Sequence, residues 1–510
     1  MIKIKKIVAL VLVCVMAMTG LVACGKDPKE TVKEAFATLA AGESVKGLAD
    51  ELGITEIMDN LEKKPYTIGM KVLLDETSLD ELKMLESGSV YTEISCDTEA
   101  NKALLDLGVG FGGSDLVSGQ LYVDEKQLAV AVPELLDKVF YIEFDNIVKN
   151  FKDSALFDMM EMSDDDFAMI EEAFASIEKA AEDANTEEMV EFILGFQKEI
   201  EKFKDKIEVK EIDAEEFEIN GKDRKCDGYE VVVTKKSMVN LVEAAIDYYF
   251  LSDDAKEFFD SLVEQVEEAG GVADMDELYD AMDEMKENKG EILDMIETCI
   301  SDIETEMYIY EGEIVSLEAE MEISDPSGES DETVKIGLEL ECTGGEYSVY
   351  DNYELAVKVM SMTMLKLEKE SETDGDNYSA EWTVSSAALE DVTIGASFVM
   401  NKKDGDFEAS AIIGDDDMKI AIASEGTIEV EKKKSVKVKF DELKFDLNDY
   451  GDAVSIGLSG EYYVECDADV SMPKGDKFNV LTDKESDWEA LAEELEGVME
   501  TLEDLMGSMY

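Results

Sequence analysis

Val315-Ser316-Leu317-Glu318-Ala319-Glu320-Met321-Glu322-Ile323 alternates apolar and polar residues without a break. Successive side chains on a β-strand point to opposite faces, so this stretch reads as a strand with one buried and one wet side. The same alternation returns at Val334, Ile336, Leu338, Leu340 and Cys342, at Ile394, Ala396, Phe398 and Met400, and at Val436, Val438 and Phe440. Asp404-Gly405 marks a hairpin between two such runs. From Glu306 to Val470 the connections are short, which dictates an antiparallel meander. Ten or so strands in a row must curl or leave edges bare. The expected fold is therefore α+β: a large curved antiparallel β-meander, half-barrel-like, with amphipathic helices packed on its apolar face.

Upstream, Tyr66 to Asp75, Val90 to Cys96 and Val139 to Phe144 read as strands. Gln120 to Val132 reads as a hairpin turning at Asp124-Glu125-Lys126 and stopped by Pro133. A second strand pair spans Glu211 to Thr234, with Asn220-Gly221 as its turn. Helical spacing appears at Val32, Phe36 and Leu39 behind Pro28, and at Thr55 to Lys63. It appears again in a block from Ser163 through Phe203, at Ser237 to Tyr249, at Asp253 to Glu268, and on to Ile303. Asp164-Asp165-Asp166 follow the N-cap candidate Ser163, where negative charge suits a helix start. The chain closes on a helix with a capping box at Ser486 and Glu489. Its seam of Trp488, Leu491, Leu495, Val498, Leu502 and Leu505 fits a helix laid across the sheet, or a dimer or partner helix.

The chain of 510 residues has 124 Asp+Glu against 46 Lys+Arg, a formal net charge of -78. Such a surface repels nucleic acid, whose binding needs Lys and Arg to displace counterions. It also repels anionic headgroups, so no basic patch is expected to hold the chain to a membrane. Cationic proteins and cell-wall components are electrostatically allowed partners. Histidine is absent, which removes His-based acid–base catalysis, Ser-His-Asp triads and His metal ligands. Arg224 is the sole arginine, so bidentate phosphate clamps are not expected. Cys96, Cys226, Cys299, Cys342 and Cys466 are far apart, with no C-x-x-C, and read mostly as buried free thiols.

No phosphate-binding loop, dinucleotide fingerprint or H-E-x-x-H motif is present. Gly108-Val109-Gly110-Phe111-Gly112-Gly113 lacks a strand–turn–helix setting and reads as a loop or bulge. Asp374-Gly375-Asp376-Asn377 begins like a calcium loop and then fails its spacing. Asp415-Asp416-Asp417 reads as a solvated turn, with weak cation binding as the alternative. No pair of carboxylates stands out for glycoside hydrolysis. The expectation is a chain without catalytic residues, cofactor or metal.

The N-terminus carries the most specific signal. Lys3, Lys5 and Lys6 precede an apolar run from Ile7 to Met18, shorter than the about 20 residues of a membrane span. That is the pattern of a secretory signal peptide. Leu21-Val22-Ala23-Cys24 closes it and resembles the lipobox of bacterial lipoproteins. The resemblance implies cleavage between Ala23 and Cys24, and a diacylglyceryl group on the Cys24 thiol. Two acyl chains make a stable anchor where one is marginal. The chain also resembles the large acidic surface lipoproteins of Gram-positive anaerobes, for which no activity is implied. Its layout resembles LolA/LprG-type lipoprotein carriers, whose curved sheet and covering helices enclose an apolar cavity for acyl chains. That second likeness rests on architecture, without a residue motif.

The sequence thus divides into a signal peptide (1–23), a lipidated N-terminus with helices (24–65), a strand region with an inserted helical block (66–303), the meander (304–485) and a final helix (486–510). The expected role is non-enzymatic ligand or partner binding at the extracytoplasmic face of a membrane, with an apolar ligand between sheet and helices. The alternatives are an acidic cell-surface interaction or structural module, and a carboxylate-based hydrolase.

Overall fold

The computed structural model describes residues 27–41, 43–61, 63–159, 195–253, 255–256, 258–260, 276–324, 333–389, 392–415, 417–450 and 452–509. The expected helices between Ser163 and Gly195 and most of the one expected over Asp253 to Glu268 lie outside them.

The helices, in chain order, are α1 Pro28–Ala41, α2 Glu43–Leu52, α3 Ile54–Leu61, α4 Ile147–Lys152, α5 Ala155–Met159, α6 Gln197–Lys206, α7 Lys235–Ile246, α8 Asp276–Cys299 and α9 Glu485–Met509. The first strands are β1 Tyr66–Thr77, β2 Gly88–Asp97, β3 Lys102–Phe111, β4 Ser114–Val123, β5 Gln127–Ala131 and β6 Lys138–Glu143. β7 Glu208–Ile219 and β8 Lys222–Val233 follow, then β9 Ile303–Tyr310, β10 Glu313–Ser324, β11 Thr333–Cys342, β12 Tyr353–Val359, β13 Met362–Asp374 and β14 Asn377–Ser386. The last are β15 Thr393–Asn401, β16 Asp406–Gly414, β17 Met418–Glu431, β18 Ser435–Asp449, β19 Asp452–Cys466 and β20 Asp476–Asn479. The protein is mostly antiparallel sheet, as the alternation requires, and the sheet is not closed.

Two compact units emerge, each drawn from two stretches of sequence: unit I from 1–48 and 179–397, unit II from 49–178 and 398–510. In unit I, β7 to β14 pair in sequence order, each antiparallel to the next. Cross-strand partners share a face, so the register writes the core directly. Tyr229, Met307, Leu317, Leu340, Leu355, Leu367 and Val384 form one transverse apolar row across seven strands. The helical spacing of α1 sets Val32, Ala35 and Phe36 against the first part of that row. Phe203 of α6, Met238 and Leu241 of α7 and Ile296 of α8 cover the neighbouring Val233, Ile303, Met321 and Ile323. Each large side chain buried there contributes about 1.5–3 kcal/mol. The opposite face is wet and charged, with Lys335 to Glu320 at 2.5 Å and Lys366 to Glu354 at 2.9 Å.

In unit II the sheet order is β16-β17-β18-β19-β1-β2-β3-β4-β5-β6-β20. All pairs are antiparallel except β6 with β20. The pairing of β1 with β19 joins residues nearly four hundred positions apart. α3 lays Ile57 on Ile68, Val436, Val464 and Cys466. α9 lays Trp488 and Leu491 on Leu136, Phe140 and Phe478. The first turns of the C-terminal seam therefore meet the sheet, and the seam's side chains from 498 onward lie outside the description.

Local details depart from the sequence reading in four places. An additional helix, α2, precedes α3. The helix expected to reach Ile303 stops at Cys299, because Ile300 bridges to Ile323 and Ile303 opens β9. The glycine-rich run is not a loop over its whole length. Gly108 to Phe111 end β3, with a bulge between Val109 and Gly110, and only Gly112-Gly113 turn, at φ +60 and +81. The Ser486/Glu489 box does not form: α9 starts at Glu485, and the shorter Asp487 side chain accepts from the Lys484 N–H at 3.0 Å. The Asn220-Gly221 turn has both residues at positive φ, 54 and 68, as a tight hairpin demands.

Two tests follow from burial. Ile57 is fully buried while its neighbour Met58 is 51% exposed. Ile57→Ala is expected to lower unfolding stability by about 2–4 kcal/mol and Met58→Ala by under about 0.5 kcal/mol, read by urea titration. Equal costs would refute the placement of α3. Burial pushes the Cys342 thiol up to about 12. Stability linked to its neutral form is present below the ordinary thiol pKa of about 8.5 and is lost as pH climbs toward the raised value. Cys342→Ala should flatten that alkaline loss; an unchanged profile would count against it.

Candidate functional site

Unit II presents one apolar face and one that is polar from β18 to β4 but apolar at Ala129, Ala131 and Val139, where Val470 packs on it. On the first, Val430, Val436, Val464, Ile68, Ile94, Leu105, Leu121, Val130 and Phe140 form a single row across nine strands. The next row runs Ile428, Val438, Tyr462, Met70, Thr92 and Leu107. The one after it runs Phe440, Gly460, Val72, Val90, Val109 and Val117. No charged residue interrupts these three rows. α3 covers the end near Val436, and α9 covers the end near Phe140. Between them Met70, Val90, Ile94, Leu107, Val109 and Leu121 stand 39% to 61% exposed. With their neighbours they make an open apolar patch.

On the other face the register builds polar rows. Lys437, Tyr463, Gly69, Glu93, Asp106 and Gln120 lie in line across six strands. The Tyr463 hydroxyl donates to Glu93, and the Tyr91 hydroxyl donates to Asp106 at 2.9 Å. Gln120 Nε2 donates to the other Asp106 oxygen at 2.6 Å. Two like charges directly opposed across β2 and β3 would repel; here each carboxylate accepts from a phenol. Burial, then the bond to Asp106, lifts the Tyr91 hydroxyl to about 12. Burial likewise raises Tyr463, and Glu93 adds to it. Burial works upward on the Glu134 carboxyl, but hydrogen bonds from the Ser118 N–H and hydroxyl, at 2.8 Å and 2.9 Å, hold it below its ordinary value. Glycine makes room for the rings: a Cβ on Gly69 would stand 2.3 Å from the Tyr463 ring, and one on Gly108 2.5 Å from Tyr91. The network fixes two rings and two carboxylates, and so stiffens the sheet behind the apolar patch.

The residues singled out by sequence fare differently. Ala23, Cys24 and the Asp164 triplet lie outside the described residues. Asp415 closes the β16–β17 turn, its carboxylate accepting from the Asp417 and Met418 N–H groups at 2.8 Å and 2.7 Å. Those bonds hold its pKa low and account for the aspartate without a cation. Asp374 and Asn377 pair at the β13–β14 turn. Among the described residues no group of three or more His, Cys, Asp or Glu could hold a metal ion, and no helix is long and apolar enough to cross a membrane. Neither face of unit II was found from sequence as a site, because each is assembled by register between strands far apart in the chain.

No family model matches the chain, and no curated protein does. Among solved structures it is similar to the CymD monoaromatic hydrocarbon channel, at 7% identity over 82% of this chain and 92% of that one, with a TM-score of 0.14. It is also similar to a mutant of the vaccine antigen transferrin-binding protein B from Haemophilus parasuis, at 6% identity over 79% of this chain and 75% of that one, with a TM-score of 0.09. Scores this low carry no argument about fold or function.

Gly69→Ala should drive the added methyl into the Tyr463 ring and destabilise unit II by about 1–3 kcal/mol in urea titration. Tyr463→Ala should relieve most of that cost in the double variant. Additive costs would show that ring and glycine do not meet.

Proposed function

We propose that the chain is a non-enzymatic lipoprotein, anchored at the extracytoplasmic face of a membrane through a lipid on Cys24, that binds an apolar ligand. The observation that supports binding is the uncharged, half-covered face of the unit II sheet. In this reading the sheet curves like a half-barrel, helices cover part of its apolar side, and the ligand covers the rest. The occupant is a long aliphatic chain with a neutral head. The three rows offer no charged group to meet an ionic head, and a second copy, equally acidic, would repel the first. The anchor is supported by the order of features at the N-terminus: lysines, a short apolar run, small residues and cysteine.

Two measurements test this reading. The intact mass of the chain recovered from membranes should begin at Cys24 and include a diacylglyceryl group; a different start or a bare thiol overturns the anchor. Monoolein, a neutral single-chain amphiphile, should bind the purified protein in native mass spectrometry. Ile94→Glu with Leu107→Glu should weaken that binding at least about tenfold, because each places a charge on an apolar seat. No binding to the wild type, or equal binding to the variant, overturns the ligand assignment.

A further inference from the structure

The strand β7 is an edge. It pairs with β8 on one side, and among the described residues no strand pairs with the other. In an antiparallel pair every second residue turns its N–H and C=O away from the partner strand. On β7 those outward groups meet no hydrogen-bond partner among the described residues. A bare edge of this kind is a template for another strand, and proteins blunt it with shortness, proline, lysine or a bulge. β20, which borders β6, is four residues long. β7 runs for twelve, with no proline and one lysine. Its bulge lies between Ile212 and Glu215, which leaves five residues on either side in register with β8.

The charge along this edge has one sign. Glu208, Glu211, Asp213, Glu215, Glu216 and Glu218 are all exposed. Lys210, the one base, already meets Glu230 of β8 at 3.4 Å. None of the six carboxylates is in an ion pair among the described residues, although β8 carries Lys222, Arg224 and Lys225. Elsewhere on the sheets acids are matched, as Glu320 by Lys335, Glu354 and Glu368 by Lys366, and Glu461 by Lys437. Glu218 also stands directly opposite Asp223, a like-charge pair that destabilises the ladder. A row of unmatched acids sets up a negative potential along a free backbone edge.

We propose that this edge takes up an extended, lysine-rich segment of a partner protein as an added β-strand. Main-chain hydrogen bonds to the outward N–H and C=O groups hold the segment, and its cationic side chains meet the six carboxylates. The charge selects the occupant. A second copy of the chain would bring its own acidic β7 against the first and be repelled. A basic strand gains both the ladder and the charge. The edge involves neither the apolar seat of unit II nor the lipid on Cys24.

The test adds to the full chain a peptide of alternating lysine and threonine, matched to β7 in length. Backbone hydrogen exchange is read by mass spectrometry over β7 and, for reference, over β18, which is paired on both sides. The peptide should slow exchange over β7 at least about tenfold and leave β18 unchanged. No protection of β7 overturns the proposal. The same peptide N-methylated at every residue keeps its charge and loses its N–H donors; equal protection by it overturns strand addition. A glutamate–threonine peptide should give no protection, and equal protection by it overturns the selection by charge. Glu216→Lys with Glu218→Lys, both at exposed positions, should weaken binding of the lysine peptide about tenfold. Unchanged affinity in that variant overturns the site. Protection of β7 that grows with protein concentration in the absence of peptide would make a second copy the occupant, and also overturns it.

Discussion

Cross-strand register is the constraint on which everything else in this protein depends. A sheet side chain has only two directions, and a slip of one residue sends a whole strand's apolar set to the wrong side. Long strands keep the phase here by absorbing extra residues in bulges. β18 is apolar at Val436, Val438 and Phe440, then at Leu443, Phe445 and Leu447, a switch from even to odd positions. The register shift between Phe440 and Leu443 returns both sets to one face. β1 makes the same correction between Leu74 and Glu76. Without these two bulges the face would lose its continuity on one side of β19 or the other.

The two units answer the same demand differently. An apolar sheet face must be covered by something. In unit I, α1, α6, α7 and α8 lie over the rows from β8 to β11, and Met307, Ile314 and Val315 are almost wholly buried. In unit II, among the described residues, α3 and α9 cover the ends of the rows, and side chains between them stand exposed. Behind the bare part stands a hydrogen-bonded lattice of Tyr91, Glu93, Asp106, Gln120 and Tyr463. A face left open without such backing would have little to hold it in shape, since each exposed apolar side chain gives up much of the burial that stabilises a sheet.

Much of the secondary structure was legible in the chain, because alternation and helical spacing are local. Asn220-Gly221 announced its turn, and Cys342 and Cys466, read as buried thiols, are buried. The glycine-rich run, read as a loop or bulge, holds both a bulge and a turn; that its first residues also end β3 was hidden, because strand glycines look like loop glycines until the opposing tyrosine is known. Gly108 is a glycine on account of Tyr91, seventeen residues earlier, and Gly69 on account of Tyr463. The row that joins Glu93 to Tyr463 depends on a pairing between β1 and β19 that no local signal encodes. The open apolar patch was hidden for the same reason: each of its strands reads as an ordinary half-buried strand, and only assembly shows which halves remain uncovered.

The charge then acquires a structural meaning that composition alone does not give. An open apolar patch on a sheet invites pairing with another copy of the chain. Here the patch is free of charge, while the acids crowd the wet faces and turns. Stacking two such faces would bring two strongly acidic chains together at the about 10 Å spacing of packed sheets. That distance is close to the screening length at physiological salt, so repulsion is only partly damped. A small neutral occupant meets no such barrier. The acidity thus works against one copy of the chain covering the exposed face of another.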